Sequence, residues 1–242
     1  MASGGCIQNE GTATITNSSF GQNKALAGNF NSGSGATIVG RGVGGVLNNR
    51  PINGGAGTIT ITGVTFANNE AVGGLGNVGG LYTGQGWGGA LNNLQGGAMA
   101  ISGSTFSGNQ AIGGQGGTGQ GGADALGGAV ANVLGSTLTV GNCIFTGNQT
   151  TGGLGTNGGN GLGGGIYSDG QSTLAVTGST VTRNQAIGGA AGAGGSAGLG
   201  EGGGVYVTAG GVVCIDDTTL LALAGNVAST SNNDFLGVFT IC

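Results

Sequence analysis

The sequence predicts an all-β protein, a parallel β-solenoid of about six coils with long glycine-rich loops stacked on one side. Three observations predict this fold. A short strand–corner–strand pattern recurs six times, a double-glycine landmark precedes each copy, and glycine-rich segments separate the copies. A supersecondary unit that repeats every 20 to 50 residues is typical of stacked repeat proteins, so about six units predict one elongated domain over residues 1–242.

The clearest copy of the strand pattern spans residues 58–69. Ile59 and Ile61 alternate with threonines, which is the period of a β-strand, and a corner at Gly63 leads to Phe66 and Asn69. The closing motif recurs as Phe20 with Asn23, Phe66 with Asn69, Phe106 with Asn109, Phe145 with Asn148, Val181 with Asn184, and Leu223 with Asn226. These steps of 46, 40, 39, 36 and 42 residues predict repeats over 1–226 and a C-terminal closing strand over 227–242.

Stacked coils place equivalent residues on top of one another, about 4.8 Å apart. The pattern therefore predicts apolar interior columns, since no single coil can enclose a core. One predicted column contains Ile15, Ile61, Ile101, Val140 and Val176, and the next contains Ala13, Ile59, Met99, Leu138 and Leu174. The phenylalanines form a third column. The six asparagines suit a corner, because asparagine tolerates the left-handed backbone region, and stacked amides can hydrogen-bond along the axis.

The double-glycine landmark lies upstream of each strand, as in 44–47, 88–91 and 127–130. Glycine-rich excursions, clearest at 111–127, 151–163 and 186–202, recur at one point of each coil. We expect them to form ordered layers of extended or polyproline-II-like chain, because long structureless loops are uncommon in compact domains.

Composition excludes several classes of protein. Glycine supplies 65 of 242 residues but has no collagen period, and charged residues are only 5%. Four separated cations and a net charge of −4 favour neither nucleic acid nor an anionic membrane as partner. No apolar run is long enough to span a bilayer, and residues 1–5 lack the features of a signal peptide.

The paired Gly-Gly-apolar and Phe-x-x-Asn motifs resemble those of right-handed parallel β-helix surface proteins. They are similar to the repeats of chlamydial polymorphic outer-membrane proteins and of bacterial adhesin-like β-helix proteins, and the resemblance extends to Asn226. It implies a right-handed β-helix, an extracellular or cell-surface location, and a role in adhesion or surface structure. Unlike the autotransporter members, this chain has no membrane-barrel segment, and its glycine excursions are unusually long.

The chain does not show the side chains of an enzyme. Its eight acids are scattered, histidine is absent, and no nucleophile lies beside a base. A single partial match to a calcium-binding nonapeptide at 119–126 is a chance match, since such sites need tandem copies. We therefore expect no catalytic residue, no metal and no cofactor.

Two binding functions remain as alternatives. Cell-surface glycans are an expected partner of an adhesin-like fragment, and Tyr82, Trp87, Tyr167 and Tyr206 are candidate sugar contacts or fillers between glycine layers. Ice binding is the second alternative, because flat threonine arrays on solenoids can match an ice lattice. The candidate array comprises Thr12, Thr14, Thr16, Thr58, Thr60, Thr62, Thr137, Thr139, Thr173 and Thr177, interrupted at Ala98, Ala100 and Ala175.

The ends of the chain predict self-assembly. The first coil begins almost at Met1 and the last strand is apolar, so both ends expose strand edges that can pair with another strand. We expect subunits to stack head to tail, with Cys6, Phe239, Ile241 and Cys242 at the junction. Cys214 and Cys242 can instead pair within the chain, whereas Cys143 is expected as a buried free thiol. The leading hypothesis is a non-enzymatic, self-assembling extracellular structural protein.

Overall fold

The computed structural model describes residues 1–52 and 57–242 and shows an all-β parallel solenoid. Five sheets run along its length, and we number them I to V in the order in which the chain passes through them in each coil. Each coil begins at its sheet I strand. Sheets I, IV and V contain six strands, whereas sheets II and III contain seven because a partial seventh coil adds one strand to each. About six coils were predicted, and this prediction is confirmed.

The strands of sheet I are Ala2–Ser3, Gly42–Val43, Gly86–Trp87, Ala125–Leu126, Gly161–Leu162 and Gly200–Glu201. The strands of sheet II are Ile7–Asn9, Leu47–Asn49, Leu91–Leu94, Val130–Val133, Ile166–Ser168, Val205–Val207 and Phe235–Leu236. The strands of sheet III are Thr12–Thr16, Thr58–Thr62, Ala98–Ser102, Thr137–Gly141, Thr173–Thr177, Val212–Ile215 and Thr240–Ile241.

The strands of sheet IV are Ser19–Gly21, Thr65–Ala67, Thr105–Ser107, Ile144–Thr146, Thr180–Thr182 and Leu223–Ala224. The strands of sheet V are Lys24–Leu26, Glu70–Val72, Gln110–Ile112, Gln149–Thr151, Gln185–Ile187 and Val227–Ala228. Ile38–Val39 and Tyr82–Thr83 form a further two-stranded sheet.

The register places equivalent residues of successive coils side by side. Ile61 pairs with Ile101, and Phe66 pairs with Phe106. The interior columns predicted from the sequence are therefore confirmed, and from coil 2 onward most of their members are fully buried. Burial of each large apolar side chain stabilises the fold by roughly 1.5–3 kcal/mol, which no isolated coil can obtain.

The glycine excursions form ordered, hydrogen-bonded layers, as predicted. Each excursion has an outward leg that leaves sheet V and a return leg that enters the next sheet I strand. The N–H of Gly114 on one outward leg donates to the carbonyl of Gly84, on the return leg one coil earlier, at 2.7 Å. The N–H of Ala123 then donates to the carbonyl of Gly114 at 3.0 Å, and the N–H of Gly153 donates to that of Ala123 at 2.8 Å. Outward and return legs thus alternate along the stack.

Glycine is required where two legs approach most closely. A Cβ atom on Gly114 would lie 2.1 Å from the carbonyl oxygen of Gly74, and one on Gly153 would lie 2.0 Å from that of Gly114. Real Cβ contacts are never this short, so the residue without a side chain makes the layer spacing possible.

One helical turn, α1, spans Asp217–Leu221 and was not predicted. Asp216 caps it by accepting a hydrogen bond from the N–H of Thr219 at 2.9 Å. The helix occupies the corner between sheets III and IV of coil 6. Its Thr219 hydroxyl accepts from the N–H of Ser179 at 3.0 Å, as the Ser179 hydroxyl accepts from the N–H of Cys143 one coil earlier. The helix therefore supplies the same corner hydrogen bond that Ser179 supplies one coil earlier, and it does not cover the end of the stack.

Candidate functional site

The predicted asparagine column is a continuous hydrogen-bond ladder. Each asparagine donates its backbone N–H and its Nδ2–H to Oδ1 of the asparagine in the next coil. From Asn69 to Asn109, for example, these distances are 3.0 and 2.8 Å. The other steps join Asn23 to Asn69, Asn109 to Asn148, Asn148 to Asn184, and Asn184 to Asn226.

The second Nδ2 proton of Asn109 reaches back to the carbonyl of Phe66 at 3.0 Å, so the side chain is used on both sides. Asn69, Asn109, Asn148 and Asn184 are fully buried. A buried amide with satisfied donors stabilises a corner and is not free to bind a ligand. The ladder is therefore a structural element.

The backbone of the asparagine corner differs from the prediction. The left-handed residue is not the asparagine but the residue before it, with φ between 54° and 70° in all six coils. The six left-handed residues are Gln22, Asn68, Gly108, Gly147, Arg183 and Gly225. The prediction failed because the asparagine is selected for its ladder contacts, so the backbone reversal falls on its neighbour.

Both ends of the asparagine ladder are closed within the chain. At the first coil, the thiol of Cys6 donates to Oδ1 of Asn23 at 2.8 Å. At the last coil, Oδ1 of Asp234 accepts the backbone N–H of Asn226 at 3.0 Å and its Nδ2–H at 2.9 Å. An ionised carboxylate only accepts hydrogen bonds, so Asp234 ends the ladder where an asparagine would continue it.

The phenylalanine column is a stack of near-parallel rings. The ring centroids are 5.5 Å apart from Phe20 to Phe66, 4.8 Å from Phe66 to Phe106 and 4.6 Å from Phe106 to Phe145. Val181 and Leu223 continue the column in the next two coils. The last three rings are fully buried, whereas Phe20 in the first coil is only partly covered.

The residues predicted at a subunit junction lie at opposite ends of the solenoid. Cys6 is an exposed free thiol in coil 1. Phe239 packs edge-on against Phe235 with ring centroids 5.2 Å apart, and Ile241 is 55% exposed. Cys242 forms a disulfide with Cys214 inside the chain, so any junction contact between Cys242 and Cys6 would be non-covalent. Cys143 is a buried free thiol, as expected.

The threonine array occupies the outer face of sheet III. Strand residues on this face alternate with the buried interior columns, and Thr14, Thr60 and Thr139 are exposed in coils 1, 2 and 4. Ala98, Ala100 and Ser102 replace threonine in coil 3, as the sequence indicates. No charged residue stands on this face in the first five strands. The outer face of these five strands thus carries small, uncharged side chains.

A buried arginine is the main feature that sequence reasoning missed. Arg41 is 1% exposed, and its guanidinium carbon lies 3.9 Å from the Trp87 ring centroid and 5.3 Å from that of Tyr82. Burial lowers the pKa of Arg41 to about 10, against a smaller opposing effect of Tyr82. The sequence predicts Tyr82 and Trp87 as candidate sugar contacts, but nothing in their spacing indicates that a cation lies on them.

This arginine belongs to a second apolar cluster outside the coil, between the outer faces of sheets I and II. Trp87, Leu126 and Tyr167 are buried in it, and Tyr167 stacks on Tyr206 with centroids 5.6 Å apart. Burial raises the pKa of Tyr167 above its ordinary range, as expected for a phenol enclosed by apolar groups. The tyrosines therefore fill space beside the glycine landmark.

Across residues 1–52 and 57–242, no group of three His, Cys, Asp or Glu side chains is placed to hold a metal ion. Over the same residues, no helix is both long and apolar enough to cross a membrane. No protein-family model, curated protein or solved structure matches this chain.

Proposed function

We propose that this chain is a non-enzymatic structural protein of the extracellular space or cell surface, whose solenoid assembles head to tail with further copies. The observation that carries the proposal is the state of the strand edges. All five strands of coil 1 lie at the edge of their sheets, each with a partner on one side only. An exposed edge offers unpaired N–H and C=O groups to another chain.

The apolar columns are also uncovered at the first coil. Ile7, Ala13, Ile15 and Phe20 are only partly buried, whereas the residues paired with them in coil 2 are fully buried. A further coil placed on this end would remove their remaining apolar surface from water. That burial is the driving force by which each internal coil is held.

The opposite end also presents apolar surface. Val238 is 82% exposed, and an open hollow of about 470 Å³ is lined by Tyr206, Val207, Leu236 and Val238, among others. Residues 199–242 carry four acids, Glu201, Asp216, Asp217 and Asp234, and no Lys or Arg. Two such ends repel each other, so the charge pattern favours head-to-tail over tail-to-tail contact.

The closed asparagine ladder limits how two subunits can meet. Asp234 offers no side-chain donor to Asn23 of a following copy, so the junction depends on backbone edges and on the apolar columns. The disulfide between Cys214 and Cys242 holds the last strand in place for this contact. An intrachain disulfide also supports an oxidising, extracellular location.

Sedimentation velocity over a concentration series tests the proposal. We expect the wild-type chain to form a ladder of oligomers. Ile15→Lys places a charge at the uncovered end of an interior column and is expected to leave monomers. Thr14→Lys, its neighbour on the outer face, is the matched control and should still assemble. Monomeric wild-type protein at all concentrations, or equal assembly of both variants, would contradict the proposal.

Ice binding is the second candidate, and the outer face of sheet III favours it. Ten threonines stand on this face in rows that Ala98, Ala100 and Ser102 interrupt in coil 3, and no charge stands among them in the first five strands. A threonine lattice presents methyl and hydroxyl groups at the spacing of the strands. Inhibition of ice recrystallisation by the wild-type chain, lost in Thr60→Lys and kept in Gln149→Lys on sheet V, would support it. No inhibition by the wild-type chain would exclude it.

A further inference from the structure

The guanidinium of Arg41 is buried without an acidic partner. Across the part of the chain that the structure describes, the one ion pair joins Lys24 to Glu70 and does not include Arg41. Nε and Nη1 of Arg41 have no hydrogen-bond partner and are shielded from solvent. A buried cation of this kind normally carries hydrogen bonds to an anion, because removal of its charge from water is costly.

Among the described residues, the Arg41 side chain makes one polar contact, and this contact is weak. Nη2 lies 3.9 Å from the sulfur of Met1, and a thioether is a poor acceptor. A guanidinium can bind a carboxylate through two edges, Nε with Nη2 or Nη1 with Nη2. Both edges include Nη2, which Met1 covers. The second nitrogen of each edge, Nε or Nη1, has no partner.

We propose that Arg41 anchors a binding site for a small organic carboxylate, which replaces the Met1 thioether on Nη2 and pairs with the guanidinium through two hydrogen bonds. Tyr82 and Trp87 form the aromatic wall of this site, with their rings edge to face at 5.3 Å. Nε1 of Trp87 is a further buried donor without a partner, and Oε1 of Gln85 is a buried acceptor without one. These two atoms can serve the hydroxyl groups of a sugar acid.

The path to the site passes the side chain of Met1. Met1 is 53% exposed, and an open hollow of about 330 Å³ lies beside it, lined by Met1, Val39, Gly40 and further residues between 28 and 38. The Met1 side chain is held at the guanidinium by one weak contact, so it can rotate away from Nη2 at little cost. Met1 lines this hollow and also contacts Nη2 of Arg41, so movement of its side chain would uncover Nη2 on the side of the hollow.

Arginine side-chain NMR of the full chain tests the proposal. The Nε–H signals would be followed during titration with sodium acetate and with sodium glucuronate, with sodium chloride at equal ionic strength as reference. We expect a saturable shift of the Arg41 signal with both carboxylates, tighter with glucuronate, and none of the exposed Arg183 signal. Arg41→Gln should weaken binding by at least about ten-fold, whereas Arg183→Gln should leave it unchanged.

A chain that begins at Ala2 provides a second test. Without the thioether on Nη2, this chain should bind acetate more tightly than the chain that retains Met1. The proposal is overturned if neither carboxylate shifts the Arg41 signal of the wild-type protein, or if chloride shifts it equally, which would indicate a general anion site. Because the wild-type titration decides between these outcomes, the result does not depend on the stability of the Arg41→Gln variant.

Discussion

Asn226 donates its backbone N–H and its Nδ2–H to the same atom, Oδ1 of Asp234, at 3.0 and 2.9 Å. In every earlier step of this ladder the acceptor is the amide oxygen of another asparagine. That asparagine in turn donates two hydrogen bonds to the next residue of the ladder. The replacement of the amide by a carboxylate is the chemical change that ends the repeat, and it occurs at the first position beyond coil 6.

Substitution of Asp234 separates its two roles. Asp234→Ala removes the acceptor of two donors on the buried Asn226, so we expect a loss of about 1–3 kcal/mol in the free energy of unfolding. Asp234→Asn keeps the acceptor and adds two donors at the end of the ladder. It should cost less than about 1 kcal/mol and strengthen head-to-tail association. Urea denaturation and sedimentation velocity check the two effects, and equal losses from both variants would contradict this role.

The phenylalanine stack should dominate the stability of the core. Phe106 is fully buried between two rings, so Phe106→Ala is expected to lower the free energy of unfolding by about 3–5 kcal/mol. Phe30→Ala is the control, because Phe30 is 72% exposed, and its effect should stay within about 0.5 kcal/mol. Similar losses for both variants in urea denaturation would show that the stack is not the core.

The glycine layers make a prediction about single methyl groups. A Cβ atom on Gly114 would meet the backbone of Gly74 at 2.1 Å, whereas one on Gly117 finds its nearest atom, the Cα of Gly76, at 3.6 Å. We expect Gly114→Ala to destabilise the protein by about 1–3 kcal/mol. Gly117→Ala should be neutral or slightly stabilising. Thermal unfolding distinguishes the two, and a neutral Gly114→Ala would mean that the legs do not pack as described.

Two aspartates should respond to pH with opposite signs. Burial raises the pKa of Asp124, against the opposing hydrogen bond from the N–H of Asn160. The folded state therefore loses stability as the pH rises through this raised pKa, and Asp124→Asn should raise Tm at pH 7 but not at pH 3.

Hydrogen bonds from Thr219 and then Gly178 lower the pKa of Asp216, so its contribution is present at neutral pH and is lost as the pH falls through that lowered pKa. Asp216→Ala should lower Tm at pH 7, and the difference should shrink on acidification below about pH 4. Thermal unfolding of the two variants and the wild-type chain between pH 3 and 8 checks both signs. Parallel pH profiles would contradict the assignment.

Much of the fold was predictable because its information is local and repeated. The alternation of Ile59 and Ile61 with threonine sets which face is buried, and the recurrence of Phe and Asn sets the register between coils. A shift of the register by one residue would move the apolar residues of a strand from the interior to the outer face. The pattern therefore specifies one way of stacking the coils.

The features that sequence reasoning missed depend on contacts made only once. The burial of Arg41 follows from the outer faces of two sheets meeting around Trp87, and no repeat encodes that contact. Among the described residues, a helix occurs only in coil 6, where Asp216 supplies a cap in place of a glycine or asparagine corner. The left-handed residue before each ladder asparagine varies between Gly, Asn, Gln and Arg, so composition did not mark it.

Electron micrographs of the purified full-length chain, taken over a range of protein concentrations, test the central claim most directly. The account predicts unbranched rods one solenoid wide, which lengthen as the concentration rises and disappear in Ile15→Lys. Single particles of one-chain length at every concentration, with the edge strands of coil 1 unpaired, would contradict it.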